Sequence, residues 1–342
     1  MKIKLLIFYL ISVGLIAQEN QIDKKTEKSL NKKNITPILK TSIIIDTDAN
    51  NEVDDQHALA YLFFNSDFFD IRGVTINATA NGGNIQQHYD EAKRVIQLCG
   101  GRNKIPILKG ALGNFSNIKK SINNSNFDGS GAVNFIIKEA SKFSQENKLI
   151  VLAVGKLTNI ALAIKKEPLI TPNIRLVWLG SNYPEPGEYN LINDIDSMNF
   201  LLNTQINFEI VTVRYGKITG TDFVNVDKKE VELNFPSLGI EIDTPVIGRH
   251  GGKFYKFGHY SKSLFDNISF RGNPPTRALF DMAAVAILKN PSWAKSFEIP
   301  NPIMVDEKWV DRPKNNNKLK VWENFERKLI LDDFYDCLTI EN

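Results

Sequence analysis

The chain has 342 residues, 42% hydrophobic and 24% charged, an ordinary globular balance with enough apolar material for a sizeable core. Its formal net charge of +3 falls to +1 once Lys2 and Lys4 are set aside with a removable leader, which gives no basis for a nucleic-acid partner. Two cysteines, Cys99 and Cys337, are too few for a disulfide framework; one long-range disulfide stays open, and a pair of buried thiols is the preferred reading.

In chain order, residues 1–17 read as a signal peptide: Lys2 and Lys4, an apolar run over 5–16, then Ala17 before Gln18. That run is too short to span a bilayer comfortably, so the expectation is an exported protein, periplasmic or secreted, with no membrane partner after cleavage. Residues 18–40 are polar and aperiodic and read as a flexible linker. The folded body, 41–342, is expected to be a single domain.

Strand candidates lie at 42–45, 71–76, 149–154, 175–179 and 208–213. Helix candidates lie at 55–64, at 85–98 before Gly100-Gly101, at 158–165 with Thr158 as cap, and at 277–288. This alternation predicts an α/β fold with a mostly parallel central sheet flanked by helices. The continuously apolar runs at 43–45 and 149–154 suit strands buried on both faces. Ligands in such sheets sit beyond the carboxyl ends of the strands. Arg312, Lys314, Lys318 and Lys320 read as a solvated face, and the body shows no repeat and no membrane-spanning run.

Directly after the first strand come Asp46-Thr47-Asp48-Ala49-Asn50-Asn51-Glu52-Val53-Asp54-Asp55. Carboxylates packed this closely repel unless a cation lies between them, and a hard cation such as Ca²⁺ takes several carboxylate oxygens. A divalent metal site is the physical reading; a solvated loop whose Asp54 and Asp55 cap the next helix is the alternative. An EF-hand fits poorly, since its glycine and closing glutamate are missing.

Asp46-Thr47-Asp48 followed by Asp54-Asp55 and Ala58-Leu59-Ala60 resembles the N-terminal metal motif of the inosine-uridine preferring nucleoside hydrolase family. The loop between the second and third aspartates is typically three residues in that family and is five here, 49–53. Later segments are similar in order and spacing. Asn77-Ala78-Thr79-Ala80-Asn81 follows the second strand, with either Asn77 or Asn81 as the ribose contact. Val154-Gly155-Lys156-Leu157-Thr158-Asn159 resembles the family's segment in which a main-chain carbonyl, here that of Val154, ligates the metal. Asn182, Glu188 and Asn190 match its ribose-binding stretch, with Asp194 opening a helix. Asp281 matches the distal metal ligand, while Phe280 stands where the family usually has a histidine.

The resemblance implies calcium held by Asp48, Asp55, Asp281 and the Val154 carbonyl, with Asp48 as general base toward a water. It implies ribose held by Asp54, Asn190, Asn182, Glu188 and Asp281. The expected reaction is hydrolysis of the N-glycosidic bond of a nucleoside or related ribosyl compound, in purine and pyrimidine salvage, by a homodimer or homotetramer. Phe280 would stack on the base. Proton donors to the leaving base remain open among Arg277, His250, His259, Tyr255 and Tyr260, with 250–260 as a candidate flap. The competing functions are a non-catalytic calcium-dependent ribosyl-binding protein and, further off, a metal-dependent phosphatase.

Overall fold

The computed structural model describes residues 40–101 and 105–339. The expected signal peptide and linker lie outside these residues, apart from Lys40.

The strands are β1 (Thr41–Thr47), β2 (Phe69–Ile76), β3 (Ile107–Lys109), β4 (Leu149–Ala153), β5 (Ile174–Leu179), β6 (Asn207–Val211) and β7 (Asn225–Asp227). They continue with β8 (Glu241–Ile247), β9 (Lys253–Lys256), β10 (Thr276–Ala278), β11 (Lys295–Pro300), β12 (Ile303–Val305), β13 (Lys308–Val310) and β14 (Lys318–Glu323). The α-helices are α1 (Asp54–Phe64), α2 (Ile85–Leu98), α3 (Phe115–Ile118), α4 (Ser130–Ala140), α5 (Thr158–Lys166) and α6 (Tyr189–Asn193). After them come α7 (Ile195–Leu202), α8 (Lys228–Asn234), α9 (Phe257–Asp266), α10 (Phe280–Lys289) and α11 (Arg327–Leu338).

Eight strands form one sheet in the order β11-β14-β6-β5-β4-β1-β2-β3. Every neighbouring pair is parallel except β11 with β14. Side chains alternate across a strand, so β1 sends Ile43 and Ile45 into one apolar layer and Ile44 into the other. The first layer is filled by α1, α2, α9, α10 and α11, the second by α3, α4, α5 and α7. Helix α1 is buried from Asp54 to Phe63 and is accordingly apolar around most of its girth, whereas α2 is amphipathic and opens on an Asn84–Gln87 capping box.

Chain order reverses at β1. From there β2 and β3 extend the sheet one way, and β4, β5 and β6 return to extend it the other. The crevice beyond the carboxyl ends of β1 and β4 is therefore where a ligand is expected.

Several sequence expectations are corrected. The helix expected at 277–288 begins at Phe280, because Arg277 is paired with Val226 in the β7–β10 ribbon. Thr158 is not a cap: Leu157 holds that position without a side-chain bond, and the Thr158 hydroxyl donates to Asp194 instead. The strands expected to run to 154 and 213 end at Ala153 and Val211. Nor is the basic stretch near the C-terminus simply a solvated face. Residues Lys318–Glu323 form a strand of the main sheet, and Arg312 donates to the carbonyls of Asn301, Leu202 and Pro302. Cys99 is buried and Cys337 half-buried, and no disulfide links them. No helix among the described residues is long and apolar enough to cross a membrane.

Candidate active site

The floor of the crevice is organised by Asp46. Its side chain is fully buried and accepts from Thr75 Oγ1 at 2.6 Å, Asn77 Nδ2 at 2.8 Å and Asn159 Nδ2 at 2.8 Å. Three donors from β2, the turn after it and α5 thus converge on one carboxylate. Burial raises its pKa to about 6, and those donors pull the other way. The backbone is stitched at the same level: Val154 N donates to Asp46 O at 2.8 Å and Asn77 N to Thr47 O at 3.0 Å.

Above this floor lies a cavity of about 590 Å³. Asp48, Asp54, Asp55, Asn81, Val154, Glu188, Asn190, Phe280 and Asp281 all line it, so most of the residues singled out in sequence meet in one space. Carboxylate oxygens of Asp54, Asp55 and Asp281 lie within 4.8 Å of one another, and all three residues are buried. Burial raises Asp48 and Asp54 to about 7 each, with the neighbouring carboxylates adding to the effect. Burial followed by mutual repulsion lifts Asp55 and Asp281 well above the carboxylate range. Thr47 donates to Asp55 and Thr79 to Asp48, which orients both side chains.

An all-oxygen, buried, mutually repelling donor set of this kind fits a hard divalent cation. The close triad is Asp54, Asp55 and Asp281; Asp48 stands beside it, within electrostatic reach of each.

The facing wall comes from the stretch after β5. Glu188 has φ of +119°, a strained backbone for a non-glycine residue. Its carboxylate accepts from the main-chain N–H groups of Ser181 at 2.8 Å, Asn190 at 2.9 Å and Leu191 at 2.9 Å, capping α6. Asn190 Nδ2 donates to Leu179 O at 3.1 Å and to Val154 O at 3.4 Å, tying α6 to the tips of β4 and β5. Asp194 opens α7 as expected, accepting from Ser197 N at 3.2 Å.

Two sequence candidates fall outside the lining. Asn77 is buried below the cavity; its Nδ2 serves Asp46, and its Oδ1 has no hydrogen-bond partner among the described residues. Asn81 is the one of that pair at the cavity surface, its N–H donating to Tyr189 Oη at 2.7 Å. The Asn182 side chain accepts from Tyr215 N at 3.3 Å and so braces the loop after β6.

Tyr189, Tyr215, Thr79 and Glu52 were not singled out in sequence. Tyr215 meets Phe280 edge-on, with ring centroids 5.8 Å apart at 88°, and the two form an aromatic wall. Its position just past the end of β6 was the available signal. Of the residues weighed as proton donors, Arg277 lines the cavity. Tyr260 is buried and donates to Glu91 Oε1 at 2.6 Å, and His250 accepts from Arg249 Nε at 3.1 Å. Arg249, at the tip of the β8–β9 hairpin, donates to the carbonyls of Asn50 at 3.2 Å and Glu52 at 2.8 Å, holding the hairpin against the acidic loop.

Comparison with known proteins follows the same lines. The chain matches the sequence model of the inosine-uridine preferring nucleoside hydrolases over residues 43–327. Solved structures similar to it include a plant nucleoside hydrolase at 17% identity (TM-score 0.66, covering 88% of this chain and 99% of that one). A purine-preferring ribonucleoside hydrolase from Gardnerella vaginalis aligns at 18% identity (TM-score 0.63, 87% and 98%). An inosine-uridine preferring nucleoside hydrolase from Bacillus anthracis aligns at 15% (TM-score 0.62, 87% and 99%). At these identities the likeness is one of fold. No curated protein matches the chain by sequence.

Proposed function

The chain belongs to the inosine-uridine preferring nucleoside hydrolase family, and from that premise we propose that it is a calcium-dependent ribonucleoside hydrolase. The observation that carries this reading is the buried triad Asp54, Asp55 and Asp281 beside Asp48 at the β1 and β4 tips. Asp48, Asp54, Asp55, Asp281 and the Val154 carbonyl are the oxygen donors that would hold the ion. When bound, calcium lowers the pKa of a coordinated water and neutralises the carboxylates.

The chain's own residues do the rest. Asp48, oriented by the Thr79 hydroxyl, accepts the proton of the attacking water. Asp54 and Asn190 hold the ribose hydroxyls, and Glu188, rigid through its three backbone donors, holds the far end of the sugar. The aromatic wall of Phe280 and Tyr215 excludes water from the base side. Export through the leader at 1–17 belongs to the same reading, supported by Lys2, Lys4, the apolar run at 5–16 and Ala17. A mature protein starting at Gln18 outside the cytoplasm would agree with it; one that keeps Met1 would not.

The test is release of reducing sugar from a panel of purine and pyrimidine nucleosides. It is run with calcium, with chelator, and with Asp48→Ala. Release that needs both calcium and Asp48 is the expected result. Calcium binding with no release from any nucleoside would favour the second reading, a calcium-dependent ribosyl-binding protein, for which the apolar Phe280 at the base side is the supporting observation.

A further inference from the structure

Breaking a C–N glycosidic bond puts an electron pair on the departing base, and the cavity must neutralise it. Its lining offers carboxylates, amides and phenols, none of which is a cation, together with two arginines, Arg271 and Arg277. The Arg271 side chain is 76% exposed and belongs to the solvent rim. That of Arg277 is only 4% exposed. It projects from β10 three residues before the start of α10 and lines the same cavity as the Phe280–Tyr215 wall.

Arg277 is incompletely partnered. Glu52 forms an ion pair with its Nη2, while its Nε is buried and has no hydrogen-bond partner among the described residues. A buried donor without an acceptor is costly, so the fold leaves unused donor capacity on a side chain that lines the cavity. Glu52 sits in the 49–53 loop, itself held in place by Arg249 through the carbonyls of Asn50 and Glu52. The guanidinium is thus aimed by one carboxylate and left with donors to spare. Burial lowers its pKa to about 10, so it stays charged at neutral pH. The phenol of Tyr215 is pushed upward by burial, which makes it a poorer acid than a free tyrosine.

Resting on the hydrolase reading of this cavity, we propose that Arg277 is the catalytic residue that neutralises the leaving base, with Glu52 as its positioning residue. In the step, the C1′–N bond breaks with its electron pair going to the base nitrogen. The water oxygen bonds to C1′ and gives one proton to Asp48. The base anion, hydrogen-bonded to the guanidinium, takes its proton from solvent, and Asp48 returns its own to solvent. Arg277 remains protonated throughout. One water is consumed, and ribose and neutral base are released.

The experiment compares inosine or uridine with 4-nitrophenyl β-D-ribofuranoside, whose phenolate departs without assistance. Arg277→Met should lower kcat on the nucleoside by about 10²–10³-fold but on the nitrophenyl riboside by less than about tenfold. Arg277→Lys should fall between, keeping the charge but losing the fork. Glu52→Gln, at a half-exposed residue, should show the same split at about tenfold, and it decides the matter if Arg277→Met does not fold. Equal loss on both substrates, or no loss on either, overturns the assignment while leaving the hydrolase standing. A wild-type protein that releases sugar from neither substrate brings down the hydrolase reading, and this assignment with it.

Discussion

Replacing Asp281 by asparagine should stabilise the metal-free protein and destabilise the calcium-loaded one. Oxygens of Asp54, Asp55 and Asp281 lie within 4.8 Å of each other. Two unit charges 4.8 Å apart repel by about 3.5 kcal/mol at an effective dielectric of about 20. Asp281 faces two such partners, so removing its charge from a fully ionised triad would relieve about 7 kcal/mol. The carboxyls relieve part of this themselves by taking up protons, as the rise of Asp54 to about 7 implies. A realised gain of about 1–3 kcal/mol corresponds to a rise of about 2–5 °C for a folded body of some 300 residues. With calcium at about a thousand times its Kd the wild type gains about 4.1 kcal/mol, more than that difference, and a variant with one ligand fewer gains much less. The assay is thermal unfolding of both proteins in chelator and in calcium, and the expected result is that their order of stability inverts. A variant that melts below wild type in chelator, by as much as it does in calcium, would refute the argument. Asp281 would then be held by contacts within the protein and not poised for a cation.

Asp46→Ala should cost about 2–6 kcal/mol in denaturant unfolding, since the buried donors of Thr75 and Asn77 lose their acceptor at about 1–3 kcal/mol each while Asn159 Nδ2 keeps Ile76 O; a loss under about 1 kcal/mol would contradict the role of Asp46 as a hub. Gly155→Ala should reduce kcat by about ten- to a hundredfold, with KM changing less. The new Cβ would lie 2.6 Å from Asn77 Nδ2 and 2.8 Å from Asp48 Oδ1, so the base must shift. Steady-state kinetics checks this, and an unchanged kcat would mean that Asp48 does not need its present position.

The half of the molecule built on local pattern was readable before the fold was seen. Three isoleucines at 43–45 and five carboxylates at 46–55 announce a buried strand and a charged loop at its end, and β1 and α1 form there. The helical pattern of 85–98 and the glycine pair at 100–101 gave α2 at its observed limits, and the structure adds the Asn84 capping box at its start. What failed was decided at a distance. Arg277 looks helical beside an apolar run but is held in a ribbon by Val226, some fifty residues away. Thr158 looks like a cap but is claimed by Asp194. The Lys-rich strand β14 reads as surface because it lies next to last in the sheet, where Lys320 lies 3.8 Å from the buried Glu209. For the site, residue types and spacing located the carboxylates. They could not pair Glu52 with Arg277, nor choose Asn81 over Asn77 at the cavity wall, because both depend on how separate loops approach one another.

The triad draws two ligands from the start of the folded body and the third from α10, close to its end. A chain emerging in order from N- to C-terminus therefore carries Asp54 and Asp55 for most of its synthesis without Asp281. Two adjacent carboxylates alone are a weak, partly hydrated cation site. The complete ligand set exists only once β1, β4, β5 and the segment through α10 have assembled, a long-range and hence late event in folding. On the proposed metal-site reading, ion capture would report on completed folding, and nascent or truncated chains ending before Asp281 would present an acidic loop that cannot hold the ion.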